Sequence, residues 1–341
     1  MKKVLVTGSS GFIGGYIVEE LLNQNYCVVG LDNLSKYGRV TRSFDNHDGY
    51  EFVTGDATDK GLLINLMQDC EHVIAGAALI GGISYFHTYP YDLLSINERI
   101  IAATCDAAIA TQRNGGRLEK VTYISSSMVF ESTDRWPSVE GDEQKVPPPK
   151  SSYGFQKLAV EYFARAAWDQ YKLPFTICRP FNCVGIGESR AVGDESIKSG
   201  NVELAFSHVV PDLIQKVLKK QKPLHILGDG KQIRHYTYGA DLAKGIVLAM
   251  QHPSAFNQDF NLSTAESTTV IELAKLIWQK INGDDEFEAV YDHPFLHDVQ
   301  KRIPSVEKAK RVLNFEATTS LSEMLDCVIP WIEHAIKNKL I

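Results

Sequence analysis

The sequence predicts an α/β protein built on a doubly wound parallel sheet, with a smaller mixed α/β part toward the C-terminus. Short apolar runs alternate with amphipathic stretches through the first half of the chain, an order typical of parallel strands joined by helices. The chain has 341 residues, of which 44% are hydrophobic, so it can bury the core of such a sheet. The predicted strands are residues 3–7, 27–31, 51–54, 72–75, 121–125 and 175–178, and the clearest predicted helices are 12–23, 91–111 and 153–171.

The pattern changes after Pro180. A polar stretch containing several glycines follows at residues 185–201, and short strands and helices then run to the end. We therefore expect two interleaved domains, one made of residues 1–180 together with about 232–260, and one made of residues 181–341. Ligands of open α/β sheets bind beyond the carboxyl ends of the strands, so a cleft between the two domains is expected.

Composition excludes several classes of protein. The formal net charge is −7 and no basic stripe is visible, which argues against a nucleic-acid partner. No stretch reaches the roughly 18 apolar residues of a membrane-spanning helix, so no membrane partner is expected. The six cysteines are scattered, without a C-x-x-C pair, and no H-E-x-x-H motif occurs. Free thiols, no metal site and a cytoplasmic location are therefore predicted.

A glycine-rich segment follows the first predicted strand and opens the first helix. Residues 7–14 read T-G-S-S-G-F-I-G, and this placement suits a tight turn and a close approach of the backbone to a pyrophosphate. The helix N-terminus adds N–H groups and a favourable dipole for the anion. Asp32, at the end of the second strand, can accept hydrogen bonds from a ribose diol and would repel a 2′-phosphate. The alternative is that Asp32 only caps a turn, but the context favours a Rossmann-type NAD site.

These motifs resemble the extended short-chain dehydrogenase/reductase family, specifically its NAD-dependent nucleotide-sugar epimerases, dehydratases and decarboxylases. T-G-x-x-G-F-I-G, L-D-N, Y-x-x-x-K and R-P-F-N all occur, so the resemblance covers nearly the whole chain. It implies NAD as cofactor, a second domain that binds the substrate, and a homodimer formed by two helices of each subunit. The cofactor-binding residues that it implies are Gly8, Ser10, Gly11, Phe12, Ile13, Gly14, Asp32, Asn33, Asp56, Ala57, Ala77, Ala78, Asn97, Ser125, Tyr153, Lys157 and Pro180.

Tyr153 and Lys157 form the Y-x-x-x-K pair. Residues i and i+4 share one helix face, so the ammonium can lie near the phenol and the ribose. An unperturbed tyrosine has a pKa of about 10, which must fall by about three units, or about 4 kcal/mol, for a base at neutral pH. The Lys157 ammonium and the positive nicotinamide ring are the expected causes. An incidental Tyr and Lys on an exposed helix is the alternative. Ser126, after the fifth strand, is the expected catalytic hydroxyl, with Ser127 as second choice.

Two departures from the family narrow the chemistry. The family's dehydratases usually carry acidic residues at the positions of Ser127 and Met128, and a thioether cannot transfer a proton. Dehydratases, and decarboxylases with Glu there, are therefore disfavoured. In contrast, residues 77–83 and His208 resemble segments of GDP-mannose 3,5-epimerases and GDP-fucose synthases. His208 is thus either an active-site group or a histidine at a helix N-terminus.

The leading hypothesis is a nucleotide-sugar 4-epimerase that forms a transient 4-keto intermediate. Alternatives within enzymes are a nucleotide-sugar dehydrogenase, a decarboxylase and a GDP-sugar 3,5-epimerase. A non-catalytic NAD-binding regulatory protein is the alternative from another class, and Tyr153 and Lys157 argue against it. Arg234 and Arg302 are either diphosphate ligands or surface salt-bridge partners. The resemblance implies a substrate site of Gly82, Ser126, Asn182, His208, Arg234 and Arg302.

Overall fold

The computed structural model describes residues 1–80, 88–188, 197–204, 208–293 and 299–338. Seven parallel strands form the central sheet in the order β13-β6-β5-β4-β1-β2-β3. The strands are β1 (Lys3–Thr7), β2 (Cys27–Asp32), β3 (Tyr50–Thr54), β4 (His72–Ala75), β5 (Lys120–Ile124), β6 (Phe175–Pro180), β7 (Cys183–Val184), β8 (Ile197–Ser199), β9 (Val202–Leu204), β10 (Leu224–Leu227), β11 (Ile233–Arg234), β12 (Thr237–Tyr238), β13 (Gln258–Leu262), β14 (Thr268–Thr269) and β15 (Ala289–Asp292).

Helices cover both faces of the sheet. The helices are α1 (Phe12–Asn23), α2 (Lys60–Met67), α3 (Pro90–Arg113), α4 (Ser152–Tyr171), α5 (Val209–Leu218), α6 (Gly239–Gln251), α7 (Val270–Asn282), α8 (Glu307–Leu313) and α9 (Leu321–Lys337). Side chains of α1, α6 and α8 pack in the core on one face, and side chains of α2, α3 and α4 pack on the other. The predicted doubly wound α/β fold is confirmed, and every predicted strand and helix is present with ends that differ by at most two residues.

A separate apolar core lies among the elements that follow β6. Helices α5, α7 and α9 pack together there with strand β10. Strands β10 and β15 pair in parallel, while β11 and β14 pair antiparallel. Strand β12 pairs with β7 and so connects this part to the segment that leaves the central sheet. Within the described residues, no helix is both long and apolar enough to cross a membrane.

Candidate active site

The glycine loop brings the start of α1 against the ends of β1 and β4. Gly8 has a φ of 75°, and a Cβ there would lie 2.9 Å from the backbone of Ala77. A Cβ on Gly14 would collide with the carbonyl oxygen of Gly8, so the close approach requires glycine. Gly11 is the N-cap residue of α1, and no side chain caps this helix end. The loop and the uncapped N–H groups therefore fit the pyrophosphate of a dinucleotide.

Asp32 is fixed beside this loop at the end of β2. Its Oδ2 accepts a hydrogen bond from the Ser10 amide at 3.0 Å, and its Oδ1 accepts one from the Leu34 amide at 2.8 Å. Of the two other predicted loop residues, Phe12 is buried and Ile13 packs, partly buried, against the core on one face of the sheet. The carboxylate is thus held where the sequence places the ribose contact.

Asn33 and Asp56, predicted separately, are brought together at the ends of β2 and β3. Asn33 Nδ2 donates to Asp56 Oδ2 at 3.1 Å. The amide and hydroxyl of Thr58 both donate to Asp56 Oδ1, at 2.8 and 2.7 Å, and these bonds lower the pKa of Asp56. Ala57 is buried between them in the core, so its side chain supports the turn.

The backbone that follows β4 is held by Asn97 of α3. Asn97 Oδ1 accepts a hydrogen bond from the Leu79 amide at 2.7 Å, and its Nδ2 donates to the Leu79 carbonyl at 2.8 Å. Ala77 and Ala78 precede this contact, and the Ala77 amide donates to the threonine hydroxyl at the end of β1 at 3.1 Å. Gly82 lies outside the described residues.

Ser126 and Tyr153 meet at the carboxyl end of β5. Ser126 caps a short 3₁₀ turn, Ser127–Phe130, by accepting a hydrogen bond from the Met128 amide at 3.2 Å, and its side chain also hydrogen-bonds the phenol of Tyr153. Lys157, one helical turn after Tyr153, donates from Nζ to the Ile124 carbonyl at 2.9 Å. The three side chains expected to carry the chemistry therefore share one corner of the site.

The pKa of Tyr153 differs from the sequence expectation. Burial raises the pKa of Tyr153 above 10, and only part of this rise is offset by the Ser126 hydrogen bond and the positive charge of Arg302. Burial also lowers the pKa of Lys157 to about 8. The prediction that Lys157 lowers the tyrosine pKa is thus wrong for the protein's own groups, because the sequence shows the charges but not the cost of removing the phenolate from water.

A buried ion cluster lies directly behind this corner. Glu161, on the same face of α4 as Lys157, accepts hydrogen bonds from Ser125 Oγ and from Arg179 Nε and Nη2, each at 2.7 Å. The hydroxyl of Ser125 is therefore engaged by the carboxylate of Glu161. The cluster has three cations and three anions, which are Arg165, Arg179, Lys308, Glu143, Glu161 and Asp259.

In this cluster, ion pairing affects the pKa values of Arg179 and Asp259 more strongly than burial does. Burial alone would lower the pKa of Arg179, but Glu161, Asp259 and Glu143 raise it above its usual value. Burial would raise the pKa of Asp259, but Arg179 and Lys308 lower it to about 2. Arg179 and Asp259 are therefore both charged at neutral pH, and the cluster ties α4 to β6 and β13.

The two predicted diphosphate arginines converge near Tyr236. Arg234 Nη1 donates to the Ile233 carbonyl at 3.0 Å, and the Arg302 amide donates to the same oxygen at 3.1 Å. The pKa of Tyr236 is raised by burial and lowered in part by both guanidinium groups. Asn182 donates to the His235 carbonyl at 3.3 Å on the other side of Tyr236. Both guanidinium groups thus lie near the phenol of Tyr236.

A small pocket lies between the 3₁₀ turn that follows β5 and the segment that contains Arg302. Its wall includes Ser127, Met128, Glu131 and Arg302. Arg302 also lies near enough to Tyr153 to lower its pKa. The proposed catalytic and diphosphate-binding groups are therefore adjacent. Pro180, at the end of β6, is buried and pairs with the last residue of β13.

His208 is the N-cap residue of α5, but its side chain does not cap the helix. Its Nδ1 lies 2.6 Å from Glu188 Oε1. The Glu188 side chain is buried, whereas the His208 imidazole is about half exposed. A carboxylate that binds Nδ1 leaves Nε2 as the exposed ring nitrogen. Sequence reasoning missed Glu188, which lies 20 residues before the histidine.

Comparison with known proteins decides the family. The family model described as "NAD dependent epimerase/dehydratase family" matches residues 4–263. The chain belongs to this family. The predictions of an NAD-dependent enzyme of this group and of NAD as cofactor are confirmed.

Similar proteins cover almost the whole chain. A putative UDP-glucose 4-epimerase of Methanocaldococcus jannaschii is 30% identical over 334 residues, which are 97% of this chain and 98% of the relative. The crystal structure of a Thermotoga maritima UDP-glucose 4-epimerase with UDP-glucose is 27% identical, with a TM-score of 0.81 and coverage of 98% and 99%. A Bacillus cereus UDP-glucuronic acid 4-epimerase with UDP-glucuronic acid and NAD is 25% identical, with a TM-score of 0.80 and coverage of 97% and 99%.

Proposed function

We propose that this protein is an NAD-dependent nucleotide-sugar 4-epimerase. The observation that carries the proposal is the hydrogen bond between Ser126 and Tyr153. Beside this pair lies the thioether of Met128, at a position where a dehydratase would have a second acid or base. This arrangement supplies one proton-transfer group and one orienting hydroxyl. Oxidation at a single carbon needs no more than that, whereas elimination of water needs a further acid.

Tyr153 takes the proton of the sugar hydroxyl as the carbon that bears this hydroxyl is oxidised. Bound NAD supplies the hydride acceptor, and its positive charge favours the phenolate. Ser126 orients the reacting oxygen by its hydrogen bond, and Lys157, anchored on the Ile124 carbonyl, holds positive charge on the same face of α4. The 4-keto sugar would then turn over, take the hydride back on its other face and recover the proton from Tyr153, so the product is an epimer without net redox change.

The substrate's diphosphate is proposed to bind Arg234 and Arg302, with Asn182 beside them. Their convergence near Tyr236 and the proximity of Arg302 to Tyr153 support this assignment. We propose accordingly that the elements after residue 180 form a substrate-binding domain, interleaved with a cofactor-binding domain of residues 1–180 and about 232–260. UDP-sugars are the first candidates, since the three proteins named above are 4-epimerases of UDP-sugars.

A homodimer and a cytoplasmic location complete the proposal. Large aromatic side chains are exposed on α3 and α4, namely Tyr91, Phe155 and Tyr162. A second copy of the chain would cover such a surface. All six cysteines are free, which supports a reducing compartment.

A 3,5-epimerase is the second candidate, favoured by the Glu188–His208 pair. Incubating the enzyme in D₂O with UDP-, GDP-, dTDP- and CDP-sugars, and analysing the products by NMR, separates the two. A 4-epimer without deuterium on carbon is expected, because the hydride leaves and returns without exchange with water. Deuterium at C3 or C5 would contradict the proposal, as would a product lighter by one water. Tyr153→Phe is the matched control and should lose at least about a hundredfold in rate.

A further inference from the structure

Arg42 lies on the connection between β2 and β3, yet its side chain reaches the glycine loop. Arg42 Nη2 donates to the carbonyl oxygens of Ser10 and Gly11, at 3.1 and 3.3 Å. These two carbonyls belong to the loop that ends in the uncapped N-terminus of α1. Their partial negative charges oppose an anion at this helix end, and the guanidinium offsets them.

Burial lowers the pKa of Arg42, and the nearby charges of Asp45 and Glu19 offset only part of this effect. Within the described part of the chain, no carboxylate oxygen is bonded to its guanidinium; Asp45 accepts only from the Arg42 backbone amide. Arg42 Nε is buried and has no hydrogen-bond partner. A partly buried cation without an ion-pair partner is costly, and an anion bound nearby would lower that cost.

Two glycines make room for this guanidinium. A Cβ on Gly15, in the first turn of α1, would lie 3.2 Å from Arg42 Cζ. A Cβ on Gly187, in the segment after β7, would lie 2.5 Å from Arg42 Nη1. The same segment is held to α1 by Tyr16, whose hydroxyl accepts a hydrogen bond from the Ile186 amide at 2.8 Å. The guanidinium is therefore fixed between the cofactor loop and the segment after β7.

We propose that Arg42 is a positioning residue for the pyrophosphate of NAD. It fixes the carbonyl oxygens of Ser10 and Gly11 on one side of the loop, so that the N–H groups are presented on the other. It also places beside them a positive charge to which no carboxylate of the described residues is bonded. Asp32 selects the ribose and Arg42 acts on the phosphates, so the two should affect different parts of the cofactor.

The test separates a phosphate effect from a general effect on the loop. The full chain, freed of nucleotide by charcoal, is titrated with NAD, ADP-ribose and adenosine. Arg42→Met should raise the Kd of NAD and of ADP-ribose by about tenfold, within the range for a charge at a helix end, and leave the Kd of adenosine within about twofold. Added salt should narrow the difference between wild type and variant. Arg117→Met removes the same charge at an exposed site before β5 and should change none of the three values.

Equal weakening of adenosine and ADP-ribose would show a merely structural role and overturn the proposal, as would an unchanged Kd for NAD. If Arg42→Met does not fold, Arg42→Lys keeps a positive charge but loses the two-carbonyl geometry. It should show a smaller loss that is again confined to the phosphate-bearing ligands. A loss that includes adenosine would likewise overturn the proposal.

Discussion

Replacing Glu161 by glutamine should lower the free energy of unfolding by about 3 kcal/mol, the low end for breaking a buried ion pair. The carboxylate accepts three hydrogen bonds at 2.7 Å, two of them from Arg179. In the variant an amide NH₂ would face these donors, and Arg179, which is fully buried, would lose one of its three anionic partners. The loss is kept to the low end because Asp259 and Glu143 remain, at 2.7 and 3.3 Å from Arg179 Nη2.

Urea unfolding followed by circular dichroism and tryptophan fluorescence measures this loss. The matched control is Glu333→Gln, the same substitution in an exposed pair with Lys337, whose side chains are 48% and 69% exposed. It should cost less than about 1 kcal/mol. This expectation is contradicted if both variants lose the same free energy of unfolding, or if that of Glu161→Gln stays within about 1 kcal/mol of wild type. Burial would then not explain how the ion cluster stabilises the fold.

Three further predictions concern the cofactor, stability at acid pH and the second candidate function. Asp32→Ala should narrow the preference for NAD over NADP, and a wild-type affinity for NADP equal to that for NAD would contradict the assignment. Burial lowers the pKa of His72 from 6.5 to about 4. Because the pKa of His72 is lower in the folded state than in the unfolded state, up to about 3 kcal/mol of the free energy of unfolding should be lost as pH falls from about 6.5 to 4. In His72→Gln, the free energy of unfolding should not fall in this way over the same pH range. His208→Asn should leave turnover within about tenfold of wild type, or about 1.4 kcal/mol of barrier; a larger loss accompanied by loss of deuterium incorporation would favour the 3,5-epimerase.

Local patterns were sufficient to predict much of the molecule. The glycine loop, Asp32 and the Tyr153–Lys157 pair depend on spacing within one strand-turn-helix or one helix, and spacing is visible in a sequence. Six of the seven sheet strands could be predicted from short apolar runs, but β3 lies at the edge of the sheet and none of its residues is buried, contrary to the expectation. The seventh, β13, reads Q-D-F-N-L, and only its pairing with β6 makes it a strand.

Groups that meet only in the folded chain could not be predicted. Glu188 and His208 belong to different segments, and no spacing rule connects them. Arg42 follows the second strand and resembles an ordinary surface arginine in the sequence. Glu161 offered the one usable signal, because it lies one further helical turn after Lys157 on the same face. The direction of the Tyr153 pKa shift was missed for the same reason, since burial is a property of the tertiary structure.

The late position of β13 in the chain has a consequence for synthesis on the ribosome. When residues 1–180 have emerged, β6 is still an open edge, and Arg179 lacks Asp259, while Lys308 has yet to be made. The nascent N-terminal half must therefore carry an unpaired strand and a partly neutralised buried charge until about half of residues 181–341 have been translated. We therefore expect the N-terminal domain to complete its sheet only after β13 has been made, so that the two halves reach the native state together.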